Sequence, residues 1–256
     1  MSIMKIKGLR KSFGKQIVLE NITFSVEVGE FISILGVSGC GKTTLLRSLA
    51  GLENIDCGHI FISGKDVTYM IPSQRRIGMV FQGFSLFPNM TAEQNVVYAL
   101  KYKRNLKSKE VHKIWIDEVM KICKIDEIGS KYPFQLSGGQ QQRTAIARAL
   151  VMSPDILMLD EPFSALDVSL RQKLKVLLKQ CQSEFGITIL YVTHDQEEAF
   201  SLSDRIAILH EGRIQQIGTP KTIYKYPKNE FVNGFVHKQL KERYEKLKKI
   251  VQSSAD

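Results

Sequence analysis

No stretch of this chain reaches eighteen consecutive apolar residues, so no segment has the length of a bilayer-spanning helix. The opening Met1-Ser2-Ile3-Met4-Lys5 lacks the apolar core of a secretion signal. No C-x-x-C pair occurs. Cys40, Cys57, Cys123 and Cys181 are scattered, which indicates neither a zinc site nor a disulfide framework. Internal repeats, low-complexity tracts and the N-K-x-D pattern that reads guanine are also missing. What is there is a 256-residue chain, 43% apolar, enough for one large domain or a domain with a small appendage. Its net charge of +10 would attract nucleic acid or an anionic membrane face. That charge gathers at Lys101, Lys103, Arg104, Lys107 and Lys109 and again at Lys238, Lys241, Arg243, Lys246, Lys248 and Lys249. Neither cluster has the series of interleaved aromatics on which successive bases stack. The charge reads first as solvated helix faces, second as attraction to an inner leaflet, and no nucleic-acid partner is expected.

The segment Gly36-Val37-Ser38-Gly39-Cys40-Gly41-Lys42-Thr43 has the spacing G-x-x-x-x-G-K-[ST]. Before it, Phe31–Leu35 reads as a buried strand; after it, Thr44–Ala50 has helical spacing and stops at Gly51. A strand, a glycine loop and a helix start aim several backbone N–H groups and the positive end of the helix dipole at one spot, which suits a triphosphate. Lys42 would reach the β- and γ-phosphates, and the Thr43 hydroxyl would hold Mg²⁺. A thiol at Cys40, inside this loop, suits a reducing cytosol.

Residues 3–28 alternate as antiparallel strands, with turn signals at Gly8 and Gly14. Phe13, in one of these turns, is either a packed hydrophobe or a ring that stacks on a base. Strands follow around Ile60–Ile62 and Ile77–Phe81, the latter ending at Gln82, and then an apolar loop over Phe84–Pro88. Thr91 with Gln94 predicts a capping box. Residues 91–150 read as a helical insertion, in which Val111, Ile114, Trp115, Val119 and Ile122 share one face. Leu136-Ser137-Gly138-Gly139-Gln140 leads into a helix expected over Gln141–Val151 and ended by Ser153-Pro154. The all-apolar Ile156–Leu159 delivers Asp160-Glu161-Pro162, a helix over Val168–Phe185 stops at Gly186, and Thr188–Val192 delivers Thr193-His194. Helix Asp195–Leu202, strand Ile206–Leu209 and a turn at Glu211-Gly212 complete the alternation. It predicts a mainly parallel α/β sheet with ligands beyond the strands' carboxyl ends.

Four groups then fall at one edge: the glycine loop, Gln82, Asp160-Glu161 and His194. Adjacent carboxylates repel unless a cation or a proton separates their roles; Asp160 can serve Mg²⁺ while Glu161 takes a proton from an attacking water. His194, on a helix N-terminal turn, can bond a γ-phosphate. Ser137–Gln140 is a second glycine-bearing helix start, hence a second anion site. Two such sites grip one nucleotide only if they face each other, which two chains arranged head to tail can supply.

Together these residues resemble the ATP-binding-cassette (ABC) family over about residues 3–235: the phosphate loop Gly36–Thr43 with Thr44, the Q-loop Gln82, the signature Leu136–Gln140, Asp160-Glu161, Ser164-Ala165-Leu166-Asp167 and the switch His194. The resemblance implies a P-loop ABC ATPase fold: a mainly parallel sheet, an antiparallel β subdomain and an α-helical insertion. It implies ATP and Mg²⁺ as cofactors, with Thr43, Gln82 and Asp160 as the metal set and Glu161, His194 and Gln82 as the hydrolytic residues. Ser137, Gly138, Gly139 and Gln140 would act in trans on a second ABC ATPase chain, identical or not. Phe13 would stack on adenine, where tyrosine is more usual, and Asp167 would line the dimer seam. Ile77–Gln82 with Leu86–Thr91, Gly218-Thr219-Pro220, Ile223-Tyr224 and Phe231-Val232 resembles importers, most closely the polyamine, iron(III) and phosphonate group. That likeness implies a peripheral protein at the cytoplasmic face, touching a membrane permease through Phe84–Met90 and an extracytoplasmic solute-binding protein indirectly. Phe84, Leu86 and Phe87 are then partner surface, or else a loop pinned to its own core. Long members of that group continue into a C-terminal regulatory domain, whereas here a basic, helical tail is expected over 236–256. Three other classes fit less well. Soluble ABC proteins acting on DNA or ribosomes usually carry two cassettes or a coiled-coil insertion, P-loop kinases do not explain Leu136–Gln140, and exporter halves are normally fused to membrane helices.

Overall fold

The computed structural model describes residues 1–102, 109–164 and 166–237. Strand β1 (Ser2–Phe13) turns at Gly14 into β2 (Gln16–Glu27), and β3 (Phe31–Leu35) runs buried throughout its length. The glycine loop leads into α1 (Lys42–Ala50), two residues earlier than its spacing predicts, and Gly51 stops it at φ +79°. Strands β4 (Cys57–Ile62) and β5 (Lys65–Asp66) complete an antiparallel sheet of order β2-β1-β4-β5. Gly8 is not a turn. It lies within β1 at φ +59°, where the pairing with β2 shifts between Ile6 and Leu9. There β4 crosses closely enough that a Cβ on Gly58 would fall 2.5 Å from the Gly8 carbonyl.

After β6 (Ile77–Val80) come the helices α2 (Ala92–Tyr98), α3 (Lys109–Ile122) and α4 (Gly138–Leu150). Thr91 caps α2 as expected: the Gln94 N–H donates to Thr91 Oγ1 and the Thr91 N–H donates to Gln94 Oε1. On α3, Val119 is buried with Trp115 and Ile122 beside it, but Ile114 is 69% exposed. The buried row runs instead through Trp115, Ile116, Val119, Met120 and Cys123. Ile114 sits one step of roughly 100° behind Trp115, which carries it off that row. The side chain of Val111, and Lys103, Arg104 and Lys107 of the basic cluster, lie outside the described residues.

The chain closes with β7 (Ile156–Asp160), α5 (Val168–Phe185), β8 (Thr188–Thr193), α6 (Gln196–Leu202), β9 (Arg205–His210), β10 (Arg213–Gly218) and α7 (Pro220–Lys225). The main sheet has the order β10-β9-β3-β8-β7-β6, parallel from β9 to β6 with β10 antiparallel at the edge. Its central strands serve two cores at once. Leu157, Leu159, Ile189 and Tyr191 face the helical side, while Ile156, Met158, Leu190 and Val192 face α1 and the antiparallel sheet. Burial on both faces is why these runs are apolar without a polar break. A third core joins Ala199, Ile206 and Ile223 to Val232 and the fully buried Val236, so packing continues past Phe235. The tail from Lys238 onward lies outside the described residues.

One buried cation ties the end of α1 to the segment that follows β5. Arg75, 3% exposed, donates to the carbonyls of Ser48 and Leu49 at the end of α1 and to those of Thr68 and Met70. A guanidinium there bonds the last carbonyls of α1 and complements the negative end of the helix dipole. Arg75→Ala removes four hydrogen bonds, three of them buried, and is expected to lower unfolding stability by about 2–4 kcal/mol in urea titration, with the m-value unchanged.

Candidate nucleotide site

The loop Gly36–Thr43 stands at the carboxyl end of β3. Gly36 has no room for a side chain: a Cβ would fall 2.4 Å from the Leu209 carbonyl and 2.6 Å from Cys40 Sγ. Gly39 and Gly41 take φ +80° and +104°, so the loop curls with Val37, Ser38 and Gly39 exposed and Cys40, Gly41 and Lys42 buried. The Lys42 ammonium donates to the Gly36 and Val37 carbonyls, each at 3.0 Å. It forms an ion pair with Glu161 Oε1 at 3.7 Å, longer than a charge-assisted hydrogen bond.

Strands β7 and β8 bring the other charges to this spot. The Thr43 hydroxyl donates to Asp160 Oδ1 at 3.0 Å. Burial pushes the Asp160 carboxyl above its usual range, against the Thr43 hydrogen bond, with Glu161 adding to the rise. Glu161 has φ +43°, an uncommon region for a side-chain-bearing residue, and is held there by its N–H bond to the Val192 carbonyl. Its Oε2 lies 3.0 Å from His194 Nδ1. The Gln82 amide donates to Ser164 Oγ at 3.4 Å, and Ser164 Oγ donates to the Glu161 carbonyl at 3.1 Å. The predicted gathering of the loop, Gln82, Asp160, Glu161 and His194 is therefore one connected set.

The apolar loop after Gln82 divides between the two readings open to it. Phe84 and Leu86 pack against the helical core, whereas Phe87 is 36% exposed against Tyr98 and Arg148. Two residues without a sequence signal hold it. Asn95, fully buried, accepts from the Phe87 N–H and donates to the carbonyls of Phe87, Met90 and Thr91. Arg148 of α4 donates to the carbonyls of Ser85 and Phe84.

Ser137 is the N-cap of α4, which begins at Gly138 rather than Gln141. Its hydroxyl accepts from the Gln140 N–H and its own N–H donates to Gln140 Oε1, so the helix start is rigid. Gly138 lets this turn approach Leu166, and Gly139 admits Leu170 of α5, whose Cδ1 would lie 2.3 Å from an added Cβ. Asp167 caps α5, accepting from the Leu170 N–H at 3.0 Å. Phe13 is 49% exposed and carries the Lys11 ammonium 4.7 Å from its ring centre. Ala165 lies outside the described residues.

The profile of the family described as ABC transporter matches residues 19–164. The chain belongs to that family. It is 48% identical over 235 residues to the Fe(3+) ions import ATP-binding protein FbpC of Fusobacterium nucleatum, covering 92% of this chain and 63% of that protein. It is 46% identical to the spermidine/putrescine import ATP-binding protein PotA of Oleidesulfovibrio alaskensis, covering 91% and 62%. The chain thus spans a little under two thirds of these relatives' length. Among solved structures, cbiO1 of Clostridium perfringens, part of the ABC transporter complex cbiONQ, matches with TM-score 0.81 and 29% identity over 95% of this chain and 99% of that one. The dimeric cassette MJ0796 in a post-hydrolysis state with ADP and Pi matches with TM-score 0.73 and 35% identity over 85% and 98%.

An ABC cassette needs a place for Mg²⁺, and the residues fit one. A buried carboxylate that loses solvation and already meets a hydroxyl is a donor set that a divalent cation would relieve. Mg²⁺ keeps several waters and takes phosphate oxygens, so it needs only one or two protein ligands. Cys40 contributes its backbone, not its thiol, to the ABC phosphate loop: the side chain turns into the core beneath α1, and burial raises its pKa. Cys57 is exposed, whereas Cys40, Cys123 and Cys181 are buried. In the native chain a maleimide should label Cys57 roughly tenfold or more faster than the others, with or without MgATP, as mapped by mass spectrometry.

Proposed function

We propose that this chain is the ATP-binding and ATP-hydrolysing subunit of a membrane importer, working as a head-to-tail pair at the cytoplasmic face. The observation that carries this reading is the connected cluster of Lys42, Thr43, Asp160, Glu161 and His194 at one sheet edge. In the reading, the glycine loop N–H groups and Lys42 bind the β- and γ-phosphates, and Phe13 offers the ring face opposite Lys11 to adenine. Bound Mg²⁺, held by Thr43, Gln82 and Asp160, would supply charge neutralisation at the phosphates. Glu161 accepts the proton of the attacking water, and the water oxygen bonds phosphorus as the β–γ bridging oxygen leaves with ADP. His194, on Glu161 through Nδ1, presents its other nitrogen to a γ-phosphate oxygen. Ser137, Gly138, Gly139 and Gln140 of the second chain close the opposite side, with Asp167 at the seam.

The importer role rests on the import functions of the relatives and on Phe87, whose exposed ring beside Tyr98 offers an apolar contact for a permease. Relatives named for iron(III), for spermidine and putrescine, and for sulfate and thiosulfate all match at 45–48% identity. That such similar cassettes serve unlike solutes supports a cargo chosen by the permease and its solute-binding protein; our reading of the class is polyamine, iron(III) or phosphonate. No helix of the described residues is long and apolar enough to cross a membrane.

Glu161→Gln is expected to keep ATP affinity, to slow turnover by roughly 10²–10⁴-fold, and to accumulate an ATP-bound dimer by size exclusion. A variant that stays monomeric with saturating ATP would overturn the paired site. Affinity capture from detergent-solubilised membranes should recover an integral membrane protein; recovery of ribosomal RNA or DNA instead would favour the soluble ABC class.

A further inference from the structure

The His194 imidazole is half exposed, and its hydrogen bond to Glu161 alone does not fix where the backbone carries it. Its two neighbours in sequence are held by a residue to which nothing above assigns a role. Glu198, 5% exposed on α6, accepts on Oε2 from the Thr193 hydroxyl at 2.7 Å and from the Tyr191 hydroxyl at 2.6 Å. Thr193 Oγ1 in turn accepts from the Asp195 N–H at 3.0 Å. The Glu198 N–H donates to Asp195 Oδ1 at 3.3 Å. One carboxylate thus fixes the residue before His194 through its side chain and the residue after it through its backbone.

A buried carboxylate is costly, and a phenol such as Tyr191 could be satisfied by a neutral partner. What sets Glu198 apart is the space it borders. A cavity of about 40 Å³ is lined by Glu161, Thr193, His194, Glu198 and Arg171 among others, large enough for a water. Glu198 therefore lines the same chamber as Glu161 and His194.

We infer that Glu198 is a positioning residue, which sets His194 against Glu161 and the γ-phosphate by locking the Thr193-His194-Asp195 turn. The inference rests on the hydrolytic reading of Glu161 and His194. It is distinct from a mere need to satisfy Tyr191, because it requires the bond to Thr193.

Steady-state ATP hydrolysis and nucleotide titration on the full chain test it. Glu198→Ala and Thr193→Val should each lower kcat by roughly 10–100-fold while the ATP Kd stays within about twofold, the loss expected for a misplaced group. Glu198→Gln should restore most of the rate, since its amide oxygen can accept both hydroxyls. In a His194→Ala background, Glu198→Ala should change the residual rate by less than about twofold, because both act through one imidazole. An equal loss with and without His194 overturns the inference. A readout independent of turnover is the His194 imidazole ¹H–¹⁵N signal, assigned through His194→Ala. It should shift in Glu198→Ala and in Thr193→Val but not in Glu198→Gln. Thr193→Val carries the comparison if the alanine variant does not fold. A signal unmoved in the folded variants overturns the inference, whereas a wild-type chain that never hydrolyses ATP overturns the functional reading alone.

Discussion

Two carboxylates at the end of one buried strand are the constraint on which this molecule turns. Asp160 is 4% exposed and Glu161 follows it directly, so β7 ends by delivering like charges into a place with little water. Each is tolerated for a different reason. Asp160 leans on the Thr43 hydroxyl and still has its proton affinity raised by burial, while Glu161 is flanked by Lys42 and His194. The left-handed backbone of Glu161 adds strain that its bond to Val192 holds in place. A site arranged this way is least comfortable by itself and gains most from a cation and a polyanion together. That is the thermodynamic signature of a binding edge, not of a core.

Sheet register is what makes the constraint productive. β3 pairs with β8 so that Leu35 faces Thr193, and β8 pairs with β7 so that Val192 faces Asp160. Gly36, His194 and Glu161 therefore leave three adjacent strands within one residue of the same level. A slip of one residue would turn Leu157 and Leu159 into the core now filled by Ile156 and Met158. Hydrophobic sorting between the two cores thus sets the positions of the charged groups at the edge. The buried Arg75 and the tight Gly8–Gly58 crossing serve the same end by fixing the antiparallel sheet beneath α1.

Features that depend on neighbours in sequence were legible in it. The glycine loop, the Thr91 box, α5 from Val168 to Gly186 and the strands β3, β7 and β8 follow from local spacing and lie where that spacing puts them. What the spacing does not carry is the partner of a long polar side chain. Arg75 reaches 27 residues back to Ser48, and Arg148 reaches 64 back to Phe84. Asn95 and Glu198 read as ordinary helix surface until the fold wraps around them. Direction is lost in the same way. Cys40 belongs to the phosphate loop by position and to the core by orientation, and Ile114 is apolar yet points outward, because one dihedral or one helical step decides each.

The connections of the Gln82 loop give the architecture its mechanical logic. Gln82 bonds Ser164, which bonds the Glu161 carbonyl, while two residues on, Phe84 and Ser85 offer their carbonyls to Arg148 of α4. Helix α4 starts at the Ser137 cap, so its far end and this loop are parts of one hydrogen-bonded body. Phe84 and Ser85 both take positive φ, at +59° and +49°, a conformation that a non-glycine loop keeps only while it is anchored. A push on Phe87 from outside therefore has two outlets, one toward Glu161 and one toward the start of α4 at Ser137. A loop that merely closed the core would need the packing of Phe84 and Leu86 but not the Arg148 guanidinium on its carbonyls. In the importer reading proposed here, that polar anchoring is what would carry a push from the permease.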